Sequence, residues 1–120
     1  MANEINVSAS LRVEKGGATT GRSATISVDM AGESFFHNVM SIPTSDTTIE
    51  SYATSGIDAA ETGYLFIKNL DSTNYVEFGL SSQYSIKLLA GEVAVFRAAG
   101  AIFGRANTSA VECEILMAEL

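Results

Sequence analysis

The sequence of 120 residues has one cysteine, one histidine, one proline and no tryptophan. The lone Cys113 cannot close an intramolecular disulfide or supply a structural zinc site built from several cysteines. The lone His37 cannot supply the several imidazoles of a cupin-like metal centre. The sequence also lacks a Walker-type phosphate loop and a dinucleotide-binding fingerprint. We therefore expect no metal site, no cofactor and no catalytic residues, and we do not expect an enzyme.

Charged residues are scarce as well. They make up 18% of the chain, whereas average proteins have about 25%. The net charge is −7 and the seven lysines and arginines are scattered, so the overall field repels duplex phosphates and anionic membranes. The hydrophobic content of 47% argues against disorder. Either much of the surface is neutral and polar, or part of an apolar surface meets a protein partner.

Long hydrophobic runs are missing too. No run approaches the ~20 residues that span a bilayer. The first residues, Met-Ala-Asn-Glu-Ile-Asn-Val-Ser, lack the basic and apolar segments of a secretory signal. With the single cysteine, these features lead us to expect synthesis and folding in a reducing cytoplasm.

What the sequence does have is period-two alternation of apolar and polar residues, which is typical of strands. Two such runs, 5–13 and 24–30, predict half-buried strands with one wet face each. Segment 53–62 is compatible with either a loop or a short helical turn. Eight or nine short antiparallel strands without a helical stripe predict one all-β domain over 1–120, a two-sheet β-sandwich of jelly-roll type, with 1–4 as a flexible arm. The other predicted strands are 34–42, 64–67, 75–78, 86–89, 93–97, 102–106 and 111–117, and 47–52 is a weaker candidate.

Three polar features have two interpretations each. Asp71 with Asn74 is either a small oxygen-ligand site or, more commonly for such residues, a hydrogen-bonded turn. Glu112 and Glu114 share one strand face, but a glycosidase pair must flank a sugar in a cleft, so a solvated face is favoured. The glycine-rich segment 16–21 has no following helix to bind a phosphate, which favours a hairpin loop.

Some large apolar residues occupy positions from which they cannot all face one core. Phe35 and Phe36 are adjacent in one predicted strand, so only one of them can point inward. Tyr64 and Phe66 share one face of a strand that is apolar on both faces. Leu116 interrupts an otherwise polar strand face. The predicted interface residues are therefore Phe35, Phe36, Tyr64, Phe66 and Leu116.

The second half of the chain contains a recognisable order of segments. Gly63-Tyr-Leu-Phe-Ile-Lys-Asn-Leu-Asp-Ser-Thr-Asn-Tyr-Val-Glu-Phe-Gly79 is followed by Ile86-Lys-Leu-Leu-Ala-Gly-Glu-Val-Ala-Val-Phe96 and Gly104-Arg-Ala-Asn-Thr108. These segments, read as strand, "KNLD-x-TN" hairpin, strand, "L-x-AGE" turn, strand and "Ala-Asn" turn, resemble a pattern in small structural proteins of tailed bacteriophages. The resemblance covers residues 60–119.

The resemblance implies a virion protein made in the host cytoplasm, with a jelly-roll fold and a decoration or cement role on the capsid. Its partners would be the major capsid protein or other virion proteins, together with further copies of itself. The head-tail junction and a fibre base are alternative locations of the protein in the virion. The alternative is a carbohydrate- or receptor-binding sandwich of a tail or fibre, in which Tyr75 and Tyr84 would stack on sugars.

Overall fold

A computed structural model describes residues 3–49, 57 and 62–120, which form an all-β protein with three antiparallel sheets. Most of the expected segment 53–62 and part of the expected strand 47–52 lie outside these residues. The described part contains no long apolar helix of the kind that crosses a bilayer. The described part has ten strands, whereas the sequence led us to expect eight or nine. The strands are β1 (Ile5–Lys15), β2 (Ala18–Val28), β3 (Phe35–Ile42), β4 (Thr47–Thr48), β5 (Thr62–Asn69), β6 (Val76–Leu80), β7 (Gln83–Leu88), β8 (Val93–Arg97), β9 (Phe103–Ala106) and β10 (Val111–Glu119).

The chain divides into two compact units, Met1–Ala31 and Gly32–Leu120. The first unit consists of one β-hairpin, in which β1 and β2 pair along their whole length. Gly16 and Gly17 form its two-residue turn with φ of +61° and +84°. Two positive φ values in a two-residue loop are typical of a type I′ turn, and glycine adopts them without steric cost. This confirms a hairpin at the predicted loop 16–21, but the loop is only two residues long, because residues 18–21 belong to β2.

No described residue of 3–31 is buried, although Ile5, Val7, Val28 and Met30 are only partly exposed. The sequence predicted half-buried strands here, and the structure differs. The alternating pattern determines the chemistry of the two faces, one apolar and one polar, but it does not determine whether anything covers the apolar face.

The second unit, which we call the body, contains two four-stranded sheets with the orders β3-β10-β5-β8 and β4-β9-β6-β7. Side chains of both sheets belong to one buried cluster. Strand β10 shows the pattern most clearly, because every second side chain from Val111 to Met117 is fully buried. Cys113 is one of them, so it faces the core as the alternation predicts. The fully buried large residues are Phe78, Ile42, Ile49, Leu65, Ile67, Ile115, Met117, Val76 and Val111.

The connection between β5 and β6 crosses from one sheet to the other. We expected a hairpin there, but β5 pairs with β10 and β8, whereas β6 pairs with β7 and β9. The crossing is held by Asn69, which is fully buried. Its Nδ2 donates to the carbonyls of Asn74 and Leu88, both at 3.0 Å, and its Oδ1 accepts the N–H of Asp71 at 2.8 Å. A buried amide satisfied at both ends fixes the path of the loop.

Asp71 acts as a turn residue in this loop. Its carboxylate accepts the backbone N–H groups of Asn74 at 2.6 Å and Thr73 at 2.9 Å. These bonds, the one from Asn74 first, lower the pKa of Asp71. Of the two interpretations of this segment, the geometry shows the hydrogen-bonded turn.

A core substitution tests the packing of the body. Ile115 lies at the centre of β10, between Asn38 of β3 and Ile67 of β5, and is fully buried. We expect Ile115→Ala to lower the free energy of unfolding by about 2–5 kcal/mol in urea denaturation, because it removes buried methyl groups and leaves a cavity. Leu89→Ala, at an exposed position of the same unit, should change it by less than about 0.5 kcal/mol. Equal losses in the two variants would contradict this core.

Candidate functional site

The β3-β10-β5-β8 sheet has one side on the buried cluster, and we call its other side the outer face. Because side chains alternate along a strand, each of the four strands contributes every second residue to this face. The strand register aligns these residues in cross-strand rows, from β3 through β10 and β5 to β8. The rows are Phe35, Ala118, Tyr64 and Arg97; then His37, Leu116, Phe66 and Val95; then Val39, Glu114, Lys68 and Val93.

Apolar side chains dominate the outer face and remain accessible to solvent. Phe35 is 66% exposed and Val93 is 52% exposed. Val39, Val95 and Leu116 are exposed to lesser degrees. Singly scattered apolar residues are normal on a protein surface, but a contiguous set marks a binding surface. The row of Leu116, Phe66 and Val95 makes this set contiguous across three strands.

Several polar groups of the outer face are paired with neighbours on the same face. His37 and Glu114 share a hydrogen bond of 2.8 Å between Nε2 and Oε2. The guanidinium of Arg97 lies 5.9 Å from the centre of the Tyr64 ring. His37 lies at the β3 end of the row of Leu116, Phe66 and Val95, and the other groups lie in the rows beside it, as polar groups do at the rim of an interface.

The structure brings four of the five predicted interface residues together on the outer face: Phe35, Tyr64, Phe66 and Leu116. Phe36 points to the opposite side of β3 and packs against the core. That placement follows from strand geometry, since adjacent residues point in opposite directions.

The sequence analysis did not identify three exposed valines as interface residues: Val39, Val93 and Val95. The alternation of Val93, Ala94, Val95 and Phe96 contains the signal, because all four are apolar and one pair must face away from the core.

The other four-stranded sheet presents a different outward surface, made of charges and tyrosines. Arg105 forms an ion pair with Glu77 at 3.2 Å and lies 4.5 Å from the centre of the Tyr84 ring. Lys87 lies 4.1 Å above the ring of Tyr75. Each of these two tyrosine rings therefore already has a cation over one face.

Asp46 ties the loop before β4 to the β6–β7 connection. Its carboxylate accepts the hydroxyl of Ser81 at 2.6 Å, the N–H of Ser82 at 3.1 Å and the hydroxyl of Tyr84. The Ser81 bond, followed by those from Tyr84 and Ser82, lowers the pKa of Asp46. Burial, followed by the bond to Asp46, raises the pKa of Tyr84. These hydrogen bonds connect the two segments at the surface, and the polar groups of the cluster are paired with one another.

A cleft of about 650 Å³ lies along β7 and the residues around the end of β8. Its lining is mainly apolar and includes Leu80, Ile86, Phe96 and Ile102. Glu112 and Glu114 lie on the side of β10 that faces away from the core, and they are not among the residues that line this cleft. In the described ranges, no group of three His, Cys, Asp or Glu side chains could hold a metal ion.

Comparison of the chain with known protein families, with curated proteins and with solved structures gives no match. The assignment of a function therefore rests on the residues, the outer face and the order of the strands.

The thiol of Cys113 gives a prediction that depends on pH. Burial, and next the charge of Asp71, raise the pKa of Cys113 from its ordinary value of 9.0 to about 12. At pH 8 the native thiol stays protonated, so it should react with an alkylating reagent at least ~100-fold more slowly than in urea, since the thiolate is the reactive form.

The same pKa difference predicts how stability changes at alkaline pH. The unfolded thiol ionises at lower pH than the folded one. The contribution of Cys113 is therefore complete below about pH 9 and is lost as the pH rises toward 12. Cys113→Ala removes this contribution from a pH series of urea denaturations. Fast stoichiometric labelling of the native protein would contradict the buried, protonated thiol.

Proposed function

We propose that this chain is a non-enzymatic structural protein of a tailed-phage virion, which binds and stabilises the capsid through its outer face. The observation that carries the proposal is the contrast between the two sheets. One exposes contiguous valine, leucine and phenylalanine side chains, whereas the other exposes paired charges, with Leu80 as an exposed apolar residue at the end of β6. A surface that is neither buried nor polar is best explained by a protein partner.

The strand orders also support a finer description of the body, as a two-sheet sandwich with jelly-roll topology. Reading along the chain from β3, the strands alternate between the two sheets, except that β6 and β7 are neighbours in one sheet. Two interleaved Greek keys of eight strands produce this pair of orders. The shared buried cluster is what a sandwich core requires. Jelly rolls are common in viral capsid domains, which agrees with the phage-like segments of residues 60–119.

The size of the outer face indicates how it would be used. Four strands at about 4.8 Å and three rows at about 6.8 Å give a patch of roughly 400 Å². That is within the range of functional patches, but it is about half of what one partner buries in a standard interface. A protein with such a patch gains affinity when several copies bind one regular lattice together. A capsid surface offers such a lattice.

The residues of the patch fall into two groups: apolar residues that would contact the partner directly, and polar residues at the edge of the patch. Phe35 is the most exposed aromatic side chain of the outer face, and Val95, Leu116 and Phe66 form the central row. Aromatic and aliphatic groups that become desolvated at the centre of an interface contribute most of the binding energy. Arg97, on the first row, lies at the edge strand and is suited to steering the partner.

The glycan-binding alternative has weaker support. It needs aromatic rings with a free face in a groove. Tyr84 does line the cleft, but the rings of Tyr75 and Tyr84 are each covered on one side by a cation. The hydroxyl of Tyr84 is also engaged by Asp46.

A binding experiment on virus particles tests the proposed function. The particles are those of the phage whose genome carries the gene, prepared without this protein, and binding is measured by co-sedimentation. We expect saturable binding of the natural chain. Phe35→Glu and Val95→Glu should each weaken it at least tenfold, about 1.4 kcal/mol, because each places a charge in the apolar patch.

Gln83→Glu is the matched control, since it adds the same charge at an exposed position of the other four-stranded sheet. It should bind like the natural chain. Absence of binding by the natural chain would overturn the capsid role, and equal binding by all variants would overturn the outer face as the contact.

A further inference from the structure

Strand β8 lies at one edge of the sheet that carries the outer face, and among the described strands only β5 pairs with it. At the two ends of this ladder, the N–H of Ala98 donates to the carbonyl of Gly63 at 2.8 Å, and the carbonyl of Glu92 accepts the N–H of Asn69 at 3.0 Å. Bonded residues alternate along an antiparallel strand, so the residues between them turn their N–H and C=O groups away from β5. These residues are Val93, Val95 and Arg97.

The other three edge strands of the body, β3, β4 and β7, are protected against pairing with another chain. In β3, the side chain of Asn38 accepts the N–H of Val39 at 2.8 Å, and Pro43 after its end has no N–H. Strand β4 has two residues. Strand β7 carries the exposed Lys87 and has an irregular register with β6. Short strands, lysine, bulges and proline are the usual means of blocking an edge.

Strand β8 lacks these protections over 93–96. Its residues Val-Ala-Val-Phe include no charge and no proline, and its register with β5 is regular. Val93 is 52% exposed and Val95 is 40% exposed. An apolar edge with unpaired backbone groups is a template for another strand.

We infer that two copies of this chain pair through β8, antiparallel and about a two-fold axis at Val95. In this register Val95 faces Val95 of the second copy, and Val93 faces Arg97. These are the residues whose backbone groups point outward, and each facing pair in such a ladder exchanges two N–H···O bonds. The register therefore satisfies every outward N–H and C=O of β8, and no two like charges face each other across it.

Side-chain sizes on the core side of β8 also suit a second copy. In the same register Phe96 faces Ala94 of the other copy, and Glu92 faces Ala98. Each large side chain thus meets a small one, which allows close contact between the two strands. Because the axis makes the pairing reciprocal, both contacts occur twice.

The antiparallel pairing joins the two outer faces into one surface. A two-fold axis normal to the sheet keeps both outer faces on the same side, whereas parallel pairing about an axis along the strands would put them on opposite sides. The row of Leu116, Phe66 and Val95 continues into the same row of the second copy. Two patches of roughly 400 Å² give about 800 Å², which is what one partner contributes to a standard interface.

The use of this doubled surface rests on the proposed capsid role, but the pairing itself does not. A strand of five residues buries much less area than a standard interface, so the dimer is weak in solution. We expect a dissociation constant on the order of 100 μM. On a lattice that holds both copies, the same contact becomes effectively intramolecular and is strengthened.

Sedimentation equilibrium of the full chain up to millimolar concentration tests the inference, and we expect a reversible monomer–dimer equilibrium. Val95→Pro should weaken the dimer at least tenfold, because it removes an outward N–H and no bond to β5 while the side chain stays apolar. Ser41→Pro is the matched control. It lies on β3, at the opposite edge of the same sheet, and should leave the equilibrium unchanged. A monomer at all concentrations, or a dimer that Val95→Pro does not weaken, would overturn the inference.

A charge exchange tests the register without proline. Val93→Lys places a positive charge opposite Arg97 of the second copy and should weaken the dimer at least tenfold. Adding Arg97→Glu should restore it, because the two new charges are opposite and face each other across the axis. Val93→Lys without effect, or no recovery in the double variant, would contradict this register.

Crosslinking tests the position of the axis. A short thiol crosslinker should join Val95→Cys chains to each other, and Val93→Cys chains to Arg97→Cys chains, while Cys113 is buried and stays unmodified. Val93→Cys chains should not be joined to each other, because four residues separate these positions along the ladder. The reverse pattern would show that another register or another surface holds the dimer.

The two proposals fail in different experiments. Phe35→Glu lies on the opposite edge strand from β8, so it should weaken capsid binding and leave the dimer in solution unchanged. A natural chain that dimerises through β8 without binding particles contradicts the capsid role alone. A natural chain that binds particles and stays monomeric at millimolar concentration contradicts the pairing alone.

Discussion

The position of β10 between β3 and β5 is the constraint on which the body depends. Its register with both neighbours sends Val111, Cys113, Ile115 and Met117 into the core, and its other residues to the outer face. Because the side-chain period is two, a slip of one residue would expose the buried set and bury Glu112 and Glu114. The same register that closes the core therefore also builds the candidate binding surface, with Leu116 at its centre.

Much of this arrangement follows from the sequence by elementary rules. The alternation in 111–117 predicts which side chains of β10 face the core, and Pro43 marks the end of β3, at Ile42. Phe35 is predicted as outward only as one of two choices, because adjacency shows that one phenylalanine must turn away without showing which. Strand pairing settled that choice, since Met117 and Ala118 of β10 lie beside Phe36 and Phe35 respectively.

Other features require pairing information that a single sequence does not contain. The segment 69–75 has turn-forming residues whether it joins two strands of one sheet or crosses between sheets, so the expected hairpin was wrong for a physical reason. The burial of Asn69 was equally hidden, because an asparagine next to a strand is usually exposed. In the hairpin, the pattern of Ile5 and Val7 predicted a covered face, but alternation determines only the chemistry of the two faces and not what covers them.

The local pairing of β1 with β2 has a kinetic consequence. A hairpin closed by a two-residue turn forms within microseconds, as soon as its second strand has left the ribosome. Strands β3 and β5 are not direct neighbours and must wait for β10 to be synthesised before it can lie between them. During translation, then, the pairing of β1 with β2 precedes the folding of the body, and because a lone hairpin is at best marginally stable, the nascent chain forms and loses this pairing repeatedly until the body is complete.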